Sequence, residues 1–252
     1  MEEPWVPPRS SPRHFTLVAL TSSAVLVATV SAACAAIGES ERATEPRRST
    51  FTLRGPGAAL PSGKRCASLV RRSRAEERPQ NARANRTTPG RYRIRRIDGA
   101  DHRGQARLAP RIDGNFKGTT DEIIQWAACK WGYADELVRA VVYTESGWEQ
   151  ATVGDNGHSF GLMQVKAIVH DGTSPWARRS SAFNLDYALA WQRACFEGYF
   201  DWVPAEATGD VWSCVALWYT GDWDWAEGRD GYLSAVRKHL AEKPWRGWVT
   251  VR

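Results

Sequence analysis

The sequence predicts an all-α domain over its C-terminal half. Three observations carry the helical reading. Apolar residues recur at helical spacing in five runs after residue 118, capping residues or glycines bound those runs, and none alternates with a strand's period of two. The first helix opens at Thr119-Thr120-Asp121-Glu122, a capping box, and carries Ile123, Ile124, Ala127 and Ala128 until Gly132 ends it. The second begins near Ala134-Asp135-Glu136, where acids suit the positive end of the helix dipole. It runs through Leu137, Ala140, Val141 and Val142 to Glu145, with Gly147 as breaker. A third spans Asn184 to Asp201. Two more follow Gly209-Asp210 and Asp230-Gly231, carrying Val211, Val215 and Trp218, then Leu233, Val236 and Leu240. Between them lies a glycine-rich connection from Gly147 to Gly161.

Charge divides the 252 residues differently. Residues 37–115 carry 19 bases and 8 acids, whereas 116–252 carry 13 bases and 18 acids. A mildly acidic folded part argues against a nucleic-acid-binding domain with a basic face. Residues 1–36 read as a signal peptide or a membrane anchor: Phe15 to Gly38 has no charge, Arg9 and Arg13 precede it, and small residues around Cys34 close it. The chain is therefore expected to be secreted or held in a cell envelope. Residues 37–115, with paired arginines and no sustained apolar periodicity, read as a disordered Arg-rich linker. That linker is either simply solvated or an electrostatic anchor on an anionic cell-wall polymer or membrane surface. Cys66, Cys129, Cys195 and Cys214 lack metal-site or redox spacing, and a Cys195–Cys214 bridge would join two helices.

Glu145 is the residue that chemistry singles out. Counting back by four gives Val141 and Leu137, so its carboxyl lies on the apolar face of the helix, at the end where the dipole disfavours an anion. Both features favour the protonated form, which is what a general acid needs.

The residues that follow extend the argument. Glu145-Ser146, then Gly157-His158-Ser159-Phe160-Gly161-Leu162-Met163-Gln164-Val165, resemble the Glu-Ser and Gly-Leu-Met-Gln motifs of the soluble lytic transglycosylase and goose-type lysozyme superfamily. Phe183-Asn184-Leu185, Tyr219-Thr220-Gly221 and Tyr232 with Val236 resemble its later blocks, in the same order. The resemblance implies a lysozyme-like catalytic domain over residues 116–252 that cleaves the β-1,4 bond between N-acetylmuramic acid and N-acetylglucosamine in peptidoglycan. It implies no metal or cofactor; a monomer acting on glycan strands is the expectation.

By this match Glu145 is the catalytic acid. Asp155 aligns with one goose-type acid, although it also suits a turn in Gly154-Asp155-Asn156-Gly157; the other acid is replaced by Lys166, which favours transglycosylase over hydrolase. Met163 and Gln164 would line the groove, Ser159 and Gly161 would let backbone approach the glycan, and Tyr219 would orient the acid or a sugar acetamide. Twelve of 13 tryptophans lie after residue 115. Trp126, Trp191 and Trp212 read as core; Trp148, Trp223 and Trp225 read as candidate sugar platforms on loops.

Overall fold

The computed structural model describes residues 49–73 and 75–248. The expected signal or anchor over 1–36, Cys34 and the first part of the basic segment lie outside the described residues. Among the described residues no helix is long and apolar enough to cross a membrane.

The domain is mostly helical. In chain order the helices are α1 (Gly63–Leu69), α2 (Ala82–Asn85), α3 (His102–Arg107), α4 (Thr120–Trp131) and α5 (Asp135–Ser146). After a small sheet come α6 (Trp176–Arg179), α7 (Ser181–Phe196), α8 (Val211–Thr220) and α9 (Ala226–Glu242). Thr119 and Glu122 form the expected capping box on α4, and Gly132 and Gly147 end α4 and α5 in the left-handed conformation. Two boundaries differ from the sequence expectation. Helix α7 starts on a Ser180 cap, whose hydroxyl accepts from the Phe183 amide, and stops at Phe196. Helix α9 starts at Ala226, so Gly231 lies inside it.

The glycine-rich connection folds into three two-residue strands, β1 (Val153–Gly154), β2 (Ser159–Phe160) and β3 (Val165–Lys166), paired antiparallel in that order. They are too short to show as alternation in the sequence.

Every residue of α7 is buried, which makes it the central helix, with α4 and α8 packed on it and α9 bridging α8 to α5. Its one carboxylate is heavily partnered. Asp186 accepts hydrogen bonds from Lys130 Nζ (2.8 Å), Trp131 Nε1 (2.7 Å) and the amides of Asp113 and Gly114 (both 2.8 Å). This cluster ties α4, α7 and the strand of chain before α4 into one unit.

The expectation of a disordered linker over 37–115 is corrected for residues 49–73 and 75–115. Cys66 is bonded to Cys129 of α4, and Ile94, Ile97, Leu108 and Ile112 are buried in the common core. Polar contacts do the rest: Arg193 donates to the carbonyls of Arg54 and Gly55 (2.7 Å each), and Glu76 accepts from the Thr120 amide (3.0 Å). Isolated apolar residues scattered among arginines supply this burial, so no periodic signal announces it. The second disulfide, Cys195–Cys214, joins α7 to α8 as the sequence suggested.

Replacing Asp186 with alanine leaves the buried Lys130 ammonium with only the partly exposed Asp113 carboxylate beside it, and takes the acceptor from the Trp131 indole and from two backbone amides. Chemical denaturation is expected to show a stability loss of about 3–5 kcal/mol, far above the effect of a surface substitution.

Candidate active site

Helix α5 ends at Glu145-Ser146-Gly147, and each of these residues is held. Ser146 Oγ donates to the Leu162 carbonyl (2.9 Å), binding the helix end to the loop that follows β2. The Gly147 carbonyl accepts from Arg78 Nε (3.0 Å) and Nη2 (2.8 Å), a clamp reaching from the basic segment. Trp148 is buried at 1% exposure, stacked on Trp245 and edge-on to Trp248, with its indole N–H donating to the Arg139 carbonyl. It is a core residue, and its expected role as a sugar platform is corrected. The covering residues come from the C-terminal segment, which local sequence does not reveal.

The loop from 157 to 166 is fixed from below. Asn184 on α7 accepts from the Met163 amide (2.8 Å) and donates to the carbonyls of Phe160 (2.7 Å) and Ala177 (2.8 Å). A Cβ at Gly161, where φ is +80°, would come within 2.4 Å of Asn184 and 2.6 Å of Gln150. The glycine is thus required by the interior, and the expected approach of a glycan to its backbone is corrected. Met163 is likewise fully buried and lines no groove. Four non-glycine residues in this region adopt positive φ: Trp148, Asp155, Asn156 and Gln164. Such conformations cost free energy and persist only where surrounding contacts enforce them.

A cavity of about 650 Å³ opens beside the end of α5, within the range of about 300–1,000 Å³ for small-molecule sites. Glu145, Asp155, Ser159, Gln164 and Tyr219 all line it, so five of the sequence candidates meet in one place. Trp223 does not line it; Trp225 is exposed and stacks on Tyr219. The walls also include Trp191, Trp202, Trp218, His170 and Tyr232, to which the sequence reading gave no place in the site. His170 stacks on Trp218, and burial pushes its imidazole down to about 4, so the ring is neutral at pH 7.

Three carboxylates face this cavity, and they differ in partners. Asp98 is paired with Arg96 (2.9 Å) and Asp155 with Lys166 (3.5 Å). Asp155 Oδ2 also accepts from Ser159 Oγ (2.6 Å). Glu145 has no cation among the described residues; its partner is the Tyr232 hydroxyl, which donates to Oε1 at 2.5 Å. Tyr219, expected to orient the acid or a sugar acetamide, stacks flat on Tyr232 at 4.5 Å, so the first of those two roles falls to another side chain. The orienting hydroxyl comes from α9, where the helical stripe Tyr232, Leu233 and Val236 was the available signal.

Burial raises the Glu145 carboxyl from 4.5 to about 7; the Tyr232 hydrogen bond opposes the rise and the charge of Asp155 adds to it. Among the described residues no group of three His, Cys, Asp or Glu is placed to hold a metal ion.

Residues 122–174 match the family described as Transglycosylase SLT domain, consistent with the lytic transglycosylase and lysozyme-like superfamily. The matched stretch contains Glu145, Asp155, Gln164 and Lys166 and stops before Tyr219 and Tyr232. It supports a glycan-cleaving function in general and peptidoglycan as substrate. No curated protein and no solved structure matches the chain.

The raised pKa has a consequence for folding. The folded protein keeps the Glu145 proton to about pH 7, whereas an unfolded chain releases it near 4.5. Stability therefore falls as pH rises through this window, and the full penalty applies above it. Glu145→Gln removes that penalty. Denaturation curves are expected to show the variant more stable than the parent by about 2 kcal/mol at pH 8, after allowance for partial solvent access, and equal to it at pH 4.

Proposed function

We propose that the protein is a peptidoglycan lytic transglycosylase that cleaves the bond between N-acetylmuramic acid and N-acetylglucosamine. The observation that carries this reading is the contrast among the three cavity carboxylates: two are engaged by cations, and the third is a half-buried acid whose proton survives to about pH 7.

A protonated Glu145 can deliver its hydrogen to the glycosidic oxygen as the bond to C1 breaks and an oxocarbenium-like centre develops. The carboxylate left behind is then stabilised by the Tyr232 hydroxyl on Oε1. It next takes the proton of the muramyl 6-hydroxyl while that oxygen closes on C1, giving a 1,6-anhydro end and restoring the acid. One carboxyl serves both steps. The tryptophan-rich walls offer flat apolar faces for pyranose rings, and Gln164 offers an amide at the cavity surface.

Hydrolysis is the second reading, favoured by one observation: Asp155 also lines the cavity and would have to activate the water. Its Oδ2 already carries a hydroxyl and an ammonium, which speaks for ring closure.

An envelope or secreted location is part of the same proposal and is supported by two disulfides, which persist in oxidising compartments. Arg83, Arg86, Arg91 and Arg95 are exposed, in keeping with contact to an anionic wall polymer or membrane surface beyond the cleft.

Digestion of purified peptidoglycan followed by mass spectrometry is the test. Muropeptides one water lighter than their reducing counterparts are expected, and predominantly reducing ends would assign the protein to the hydrolases. Glu145→Gln is expected to lower the rate by about 100-fold or more, whereas a variant as active as its parent would remove Glu145 from the chemistry. A parent that binds glycan without cutting it would indicate a wall-binding module.

Because the acid must be protonated, activity is expected to fall as pH rises through about 7. Tyr232→Phe deletes the hydrogen bond that favours the ionised form, so the falling limb of its pH–rate profile should lie at higher pH than the parent's.

A further inference from the structure

The small sheet does more than carry the loop. Its register sets Ser159 directly opposite Lys166, while Gly154, the residue before Asp155, pairs with Ser159 from the other side. Opposed residues on antiparallel strands project to the same face, so Ser159 and Lys166 lie side by side, and Asp155, leaving β1 with a φ of +48°, turns its carboxylate onto them. Ser159 Oγ and Lys166 Nζ both meet one oxygen of Asp155, Oδ2, at 2.6 and 3.5 Å.

The pair is not there to hold the fold. The side chains of Lys166 and Asp155 are 43% and 53% exposed, and ion pairs of that kind add little to stability. Asp155 and the residue after it nonetheless sit at positive φ, a conformation that non-glycine residues rarely adopt and that recurs where geometry serves a site. Lys166 is also the one lysine or arginine lining the cavity among the described residues.

We propose that Lys166 is a positioning residue that decides how the cleaved glycan is capped: by occupying Asp155 it withholds that cavity carboxylate from an incoming water. The inference rests on the transglycosylase reading above. After Glu145 has given its proton to the leaving oxygen and the C1–O bond has broken, two nucleophiles compete for C1. If the 6-hydroxyl adds, its proton passes to the Glu145 carboxylate and the ring closes. If water adds, a proton must pass to a carboxylate on the opposite face, and the product gains one water. Lys166 and Ser159 compete with that water for Asp155 Oδ2, so ring closure prevails.

Lys166→Met keeps the length of the side chain and removes its charge. Peptidoglycan digests of the parent, Lys166→Met, Lys166→Arg and the double variant Lys166→Met/Asp155→Asn, analysed by mass spectrometry, give the ratio of hydrated to anhydro ends. The ratio is expected to rise about tenfold or more in Lys166→Met. It should stay at the parent's value in Lys166→Arg, and it should return there in the double variant. With an anhydro-producing parent, an unchanged ratio in Lys166→Met overturns the role of Lys166 and leaves the transglycosylase reading standing. So does a rise that survives loss of the Asp155 carboxylate, or a complete loss of cleavage. A parent that yields hydrated ends, or cuts no glycan, overturns both readings together.

Discussion

The structure is organised around an unfavourable placement: a carboxyl group at the negative end of a helix, half-buried, with a tyrosine hydroxyl as its partner and no cation among the described residues to neutralise it. An acid so placed keeps its proton when ordinary carboxylates have lost theirs. The cost is carried by the surroundings, since nothing local to α5 would hold its last turn in that state. Tyr232 can hydrogen-bond either form of the acid, which lets one group give up a proton and recover it without rearrangement.

The braces on that turn come from distant parts of the chain. Arg78 grips the Gly147 carbonyl while lying 3.7 Å from the centre of the Trp248 ring. Trp148 is enclosed by Trp245 and Trp248, and Asn81 bonds both the Trp148 carbonyl and the Gln150 amide. The Cys66–Cys129 bond keeps the basic segment against α4. The basic segment and residues 245–248 thereby close on the residues just after Glu145. A segment that composition assigns to solvent thus helps hold the end of α5 in place.

Much of this was legible in the sequence, and the limits have physical causes. Helix α4 carries a capping box and a glycine breaker, and α5 carries acids in its first turn and a glycine breaker, so their bounds and the inward direction of Glu145 follow from local rules. Residues 49–115 do not, because single isoleucines and a cysteine find their burial only against other helices. Two glycines, Gly228 and Gly231, hid the first turns of α9, although Gly228 packs against the Trp225 ring so closely that a Cβ would clash at 2.5 Å. The cavity candidates divided along the same line. Glu145, Asp155, Gln164 and Tyr219 lie on it, while Trp148, Gly161 and Met163 belong to the support beneath. Exchanging Tyr219 for Tyr232 as the partner of the acid required knowing how α8 and α9 cross, which no local pattern encodes.

The central claim concerns one proton. Following the side-chain carboxyl carbon of Glu145 by NMR across a pH titration of the free protein reads its ionisation directly. A midpoint near 7 is the result this account requires. A midpoint at the ordinary value of 4.5 would leave the cavity without its acid and contradict the account at its root.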